Sequence, residues 1–261
     1  MKEKPAVVVM LTGTDWLRVL KPDADPRNVL VCFPPGGGSV TAYRPLARHF
    51  GTGTAVFAVQ YPGRQDRLGD KPIPDLTELA DEIAQDLRRW PAATRPVLFG
   101  HSMGATLAFE TARRLEAAGR PLAHLFVSGR PAPAFEEPGR LHLASDDALI
   151  ADLERLANDP EPVGILRTEP TLAEMILPAV RSDYQAVETY RYQPGEPLST
   201  PITALVSTAD PTTSLAQAGD WRNHTSADFE TATFPGAHFY LDLPENQPAL
   251  AALITRRLSH G

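Results

Sequence analysis

Val97-Leu98-Phe99-Gly100-His101-Ser102-Met103-Gly104-Ala105-Thr106-Leu107 is the most informative stretch of the sequence. A short apolar run ends at Gly100, a serine stands between two glycines, and an amphipathic stretch follows from Ala105 to Ala118, closed by Gly119. This spacing predicts a buried strand, a sharp turn at Ser102 and a helix, the local form of a nucleophile elbow. The two glycines let strand and helix approach closely. The serine hydroxyl is then held at the carboxyl end of the strand, beside the positive end of the helix. A serine N-cap with glycines serving only the turn is the plainer reading, and the strand-turn-helix context argues against it.

On either side the same rhythm repeats. Val29 to Phe33, Ala55 to Val59 and His124 to Val127 are short apolar runs bounded by Gly or Pro, and each reads as a buried strand. Between them, Asp75 to Leu87 puts Leu76, Leu79, Ile83 and Leu87 on one helical face, with Asp75 and Glu78 spaced as a capping box. Strands alternating with helices imply a parallel sheet covered on both faces. The rhythm breaks at Gly129. From Arg130 to Pro197 no strand is evident, and two amphipathic patterns appear, one through Leu149, Ile150, Leu153 and Leu156 and one from Leu172 to Val180, the second with Thr171 and Glu174 as its expected cap. Strand patterns resume at Ile202 to Val206 and Phe229 to Phe234, and Glu245 to Leu258 reads as a closing helix. The expectation is one α/β core, residues 1–129 and 198–261, interrupted by a helical insertion at 130–197. Each insertion helix has a single apolar face, which is predicted to lie on the sheet domain or on a bound apolar group, so that the segment acts as a mobile lid.

Composition narrows the function classes. The chain has 261 residues, 43% hydrophobic and 22% charged, with a formal charge of −7. That balance suits a globular domain and argues against nucleic acid or an anionic membrane as partner. The 18 glycines and 26 prolines call for many loops or an irregular insertion. Apolar runs such as Ala6 to Leu11 fall far short of the ~20 residues of a membrane span. Lys2 and Lys4 are followed by Pro5 with no small-residue cleavage pattern, so no leader is read there and a cytoplasmic location is expected. The single cysteine, Cys32, excludes an internal disulfide or a cysteine-rich metal site, and its mid-strand place suits a core residue.

A serine hydroxyl needs a base, and that base needs an orienting carboxylate, in the chain order Ser, Asp, His. Of seven histidines, His238 alone follows a late strand, in Pro235-Gly236-Ala237-His238, on a loop at the sheet edge of Ser102. His49, His142, His224 and His260 read as surface or packing residues, His124 opens a strand, and His101 points away from the serine as a packing or hydrogen-bonding group. Asp210 follows the strand ending at Val206, where the carboxylate belongs; an Asp-Pro turn with Pro211 is the plainer alternative. Asp183, Asp220 and Asp228 fit less well, with Asp183 next in line.

An oxyanion also needs donors. Pro34-Pro35-Gly36-Gly37-Gly38-Ser39 follows an early strand, where glycines let a backbone N–H reach a reacting carbonyl; the second donor is the N–H of Met103, directly after the nucleophile. The loop lacks the Gly-Lys-Ser/Thr of a phosphate loop, and Thr41 stands where a dinucleotide fingerprint needs its third glycine. No cofactor or metal is required by this set.

The motifs Cys32 to Ser39, Val59-Gln60-Tyr61-Pro62-Gly63-Arg64, Gly100 to Gly104, Ser128-Gly129-Arg130-Pro131, Leu177 to Tyr184, Trp221 and Pro235 to Tyr240 together resemble the type II thioesterases of polyketide and nonribosomal peptide assembly lines. The resemblance runs over most of the chain and implies an α/β-hydrolase fold. It implies Ser102, Asp210 and His238 as the catalytic set and Gly36 and Met103 as oxyanion donors. The activity implied is removal of misprimed or stalled acyl groups from the phosphopantetheine arm of an acyl or peptidyl carrier protein, with the insertion as a lid. A monomer is expected. Two other readings are kept: an esterase on small soluble acyl esters such as acyl-coenzyme A, and a non-enzymatic binding module, against which the complete set speaks. Because the chain is itself acidic, a carrier must be met on a local surface; Arg64, Arg67, Arg181 and Arg191 are the candidates, with solvation or internal pairing as the plainer role of each.

Overall fold

The strands predicted from apolar runs pair into one sheet, with Ser102, Asp210, His238 and Gly36 on the turns and loops that leave its carboxyl edge. The computed structural model describes residues 14–136 and 138–258; the Lys2–Leu11 stretch read for a leader, and His260, lie outside them. Strands β1 (Leu17–Lys21), β2 (Asn28–Phe33), β3 (Thr54–Val59), β4 (Val97–His101), β5 (His124–Ser128), β6 (Ile202–Ser207) and β7 (Phe229–Phe234) form a sheet in the order β1-β3-β2-β4-β5-β6-β7. All neighbours are parallel except β1, which runs antiparallel to β3 at the edge. β1 carries Arg18 and Lys21 among half-buried residues, a pattern too mixed to stand out in the sequence as a buried run.

The helices are α1 (Arg44–Ala47), α2 (Leu76–Leu87), α3 (Met103–Ala117), α4 (Asp146–Leu156), α5 (Glu161–Thr168), α6 (Pro170–Thr189), α7 (Leu215–Gly219) and α8 (Gln247–Leu258). Alternation along the strands divides the core. Val29, Val31 and Phe33 of β2 face α2 and α3, whereas Leu30 and Cys32 face α1 and α8. Cys32 is fully buried and free, a core residue as read. The Asp75 carboxylate caps α2 by accepting from the Thr77 and Glu78 N–H groups, the N-cap half of the capping box that the spacing predicts. The cap expected at Thr171 is corrected: α6 starts at Pro170, with Glu169 at the N-cap and Thr171 already in its first turn. Proline suits that first helical position because its missing N–H would be unpaired there anyway.

Between β5 and β6 the chain is helical, with three α-helices where the periodicity indicated two. The additional α5 contains Pro162 and Gly164, which hide its pattern. The apolar faces of α4, α5 and α6 meet one another around Leu149, Ile150, Leu166, Leu177 and Val180, rather than depending wholly on the sheet or on a ligand. Among the described residues no helix is long and apolar enough to cross a membrane.

Candidate active site

Ser102 occupies the turn from β4 into α3 with φ 54° and ψ −123°, a conformation that is strained for a residue with a side chain. What permits it is the pair of flanking glycines. A Cβ on Gly100 would strike the backbone of Gly104, and one on Gly104 would strike the Phe33 carbonyl. The Ser102 N–H donates to the Ser128 carbonyl at 2.8 Å, tying the elbow to the end of β5. α3 begins at Met103, so the Met103 N–H belongs to the first turn, where N–H groups have no partner within their own helix.

His238 and Asp210 come from the loops after β7 and β6. The imidazole Nδ1 lies 3.1 Å from both Asp210 carboxylate oxygens. Thr212 completes the arrangement: its N–H donates to Asp210 Oδ1 at 2.8 Å, its hydroxyl donates to the same oxygen at 2.7 Å, and that hydroxyl stands 3.2 Å from His238 Nδ1. Burial works to raise the Asp210 carboxyl, but the hydrogen bonds from His238 and Thr212 outweigh it and hold the group below its ordinary value. An ionised carboxylate facing Nδ1 fixes the proton on that nitrogen and leaves Nε2 as an acceptor.

Beneath His238 lies His101, fully buried, with its Nδ1 2.9 Å from the Ser128 hydroxyl, which in turn is 2.7 Å from the Tyr240 hydroxyl. It is the packing and hydrogen-bonding residue the sequence indicated. Burial, reinforced by His238, holds its pKa well below the usual imidazole value. Gly129, at φ 58°, makes room for both rings; a Cβ there would come within 2.6 Å of His101 and 3.3 Å of His238.

Ser102, Met103, Gly36 and His238 border one cavity of about 330 Å³. Its apolar lining includes Phe135, Leu141, Leu153, Leu156 and Val187, together with Pro211 and Phe239. Phe135, Leu141, Leu153, Leu156 and Val187 all come from the segment 130–197. The five residues singled out from sequence are thus gathered in one place, four on the cavity wall and Asp210 behind His238. Asp183 also borders the cavity, but its carboxylate is turned to Arg64 and the Gly37 N–H rather than to His238. Thr212 was missed because a threonine after Asp-Pro carries no spacing signal of its own.

The chain matches the model of the thioesterase domain over residues 28–258. It belongs to the thioesterase domain family. Among its relatives is the "Probable cadicidin biosynthesis thioesterase" of Streptomyces griseus, 42% identical over 92% of this chain; the chain spans 65% of that relative's length. Two solved structures are similar. The type II thioesterase BorB from the borrelidin biosynthetic cluster superposes with a TM-score of 0.84 at 43% identity, covering 95% of this chain and 99% of that one. The type II thioesterase YbtT from the yersiniabactin NRPS/PKS pathway gives 0.85 at 30% identity, covering 94% and 98%. These neighbours establish the α/β-hydrolase architecture of this thioesterase.

The arginines weighed as docking cations all have internal contacts in the thioesterase. Arg64 is buried on Asp183, which removes it from any docking surface. Arg67 pairs with Asp70 and lies over the Trp16 ring. Arg181 donates to the carbonyls of His142 and Ala144 and pairs with Asp146, while Arg191 donates to the carbonyls of Glu188 and Tyr190.

Proposed function

We propose that this thioesterase hydrolyses stalled or misprimed acyl groups from the phosphopantetheine arm of acyl or peptidyl carrier proteins, through an acyl intermediate on Ser102. The observation that carries the reading is the meeting of a strained Ser102 turn and the Asp210-paired His238 on one largely apolar cavity. The similarity to assembly-line thioesterases supports the substrate class.

His238 Nε2 takes the Ser102 hydroxyl proton as Oγ attacks the thioester carbonyl. Negative charge moves onto the carbonyl oxygen, where the N–H groups of Gly36 and Met103 receive it. Collapse breaks the carbon–sulfur bond, and the pantetheine sulfur leaves with the proton held by His238. Water then gives a proton to His238 as its oxygen attacks the acyl-serine, and the second collapse returns that proton to Ser102 Oγ and releases the acid. Asp210 keeps the imidazole in the required tautomer throughout. The segment 130–197 acts as a lid that supplies the acyl-binding wall and whose motion admits the pantetheine arm.

The test compares kcat/KM on an acyl-carrier protein with that on the same acyl group carried by N-acetylcysteamine, at low salt. The carrier-bound substrate should be the better one, by an advantage that shrinks as salt rises. Equal efficiency would assign the activity to small soluble thioesters instead.

A further inference from the structure

Two motifs remain outside the chemistry above: Tyr61-Pro62-Gly63-Arg64 after β3 and Ser182-Asp183-Tyr184 in α6. They meet in the interior. Asp183 Oδ2 is 2.6 Å from Arg64 Nη1 and Oδ1 is 2.8 Å from Arg64 Nη2, a two-pronged pair with both side chains buried. The same Asp183 Oδ2 accepts the Gly37 N–H at 2.7 Å, and the same Arg64 Nη1 donates to the Gly38 carbonyl at 3.0 Å. The glycine loop is therefore gripped on consecutive residues, one by a helix of the insertion and one by the loop after β3. Tyr61 adds a third hold by donating its hydroxyl to the Pro34 carbonyl at 3.0 Å.

The grip fixes a particular peptide geometry. The Gly38 N–H donates to the Pro35 carbonyl at 2.9 Å and Gly37 has φ 72°, the form of a type II turn with Gly36 at its second position. The N–H groups of Gly37 and Gly38 are turned inward and engaged, while Gly36 borders the cavity beside Met103 and Ser102. Turning the loop about the Gly37 bond would turn the Gly36 N–H with it. The contact is close on the helix side: a Cβ at Gly36 would lie 3.6 Å from the Asp183 Cβ, and one at Gly37 3.3 Å from Val180.

We propose that the buried Arg64–Asp183 pair is a latch by which the insertion helix α6 sets the aim of the Gly36 N–H, so that the oxyanion site is assembled only while α6 is seated on the loop. The latch rests on the assignment of Gly36 as an oxyanion donor. Arg64 and Asp183 are positioning residues; neither takes or gives a proton. Their work falls on the charged intermediate rather than on ground-state binding, so it is read in kcat and not in KM.

With an acyl-carrier protein as substrate, Asp183→Ala should lower kcat by about tenfold or more while KM changes by less than about threefold. Because this variant strands a buried cation, Arg64→Met/Asp183→Ala, which buries no unpaired charge, carries the same expectation. Gly36→Pro removes the N–H at a turn position whose φ suits proline, and Gly36→Ala retains it. The proline variant should be about tenfold or more slower than the alanine one. In the Gly36→Pro background, Asp183→Ala should cost less than about threefold further in kcat, since the donor it aims is gone. Equal rates for the two Gly36 variants would overturn the oxyanion assignment itself. A slow proline variant combined with wild-type kcat in Arg64→Met/Asp183→Ala, a change in KM alone, or full additivity with Gly36→Pro would overturn the latch and leave the assignment standing.

Discussion

The ring of His101 lies 4.8 Å from that of His238 at an interplanar angle of 44°, with both buried. His101 is kept neutral chiefly by burial and secondarily by the charge His238 would carry. His124, at the start of the neighbouring strand β5, is likewise pushed down, to about 4, by burial and by Arg257. In both cases the unfolded chain takes up a proton near pH ~6.5 and the folded chain does not. Folding is therefore stabilised above that pH and loses stability as the pH falls from about 6.5 towards 4, by on the order of 3 kcal/mol for His124 alone. Urea unfolding at pH 7.5 and at pH ~4.5 checks this. His124→Gln should lose distinctly less stability between the two, and an unchanged loss would refute the attribution.

Asp210→Asn should reduce kcat by about 10²- to 10⁴-fold with little change in thermal midpoint, because an amide no longer fixes the proton on His238 Nδ1. Thr212→Val removes one of the two bonds from Thr212 to Asp210 Oδ1 and retains the other. A loss of about 2- to 10-fold in kcat is expected, the size of one net hydrogen bond. Steady-state kinetics on both variants distinguishes them, and an Asp210→Asn enzyme of normal rate would contradict the pairing's role.

Val187 on α6 and Leu153 on α4 contribute to the apolar wall of the cavity. Enlarging Val187 to Phe should reduce kcat/KM for a long acyl chain more than for acetyl, by about tenfold in relative terms. A uniform effect on both chains would mean that the acyl group lies elsewhere.

The parallel core was legible because its strands are buried on both faces and read as continuous apolar runs, as at Val97–Phe99. Edge strand β1 and helix α5 were not, since Arg18 and Lys21 break up the short apolar run of one and Pro162 and Gly164 erase the pattern of the other. Ser102, Asp210 and His238 could be named because each follows a strand, in a fixed chain order. The Arg64–Asp183 pair could not, since 119 residues separate its members and only packing brings them together. Charge alone offers Arg64 as a docking candidate, and its burial on Asp183 gives it instead the internal pairing that is the plainer reading.

In the proposed reaction Ser102 Oγ carries the acyl group between the two collapses. Treatment with a fluorophosphonate, followed by peptide mass spectrometry, should find one adduct, on Ser102, and Ser102→Ala should neither label nor turn over acyl-carrier protein. An adduct on another residue, or hydrolysis by Ser102→Ala at near the wild-type rate, would contradict the account.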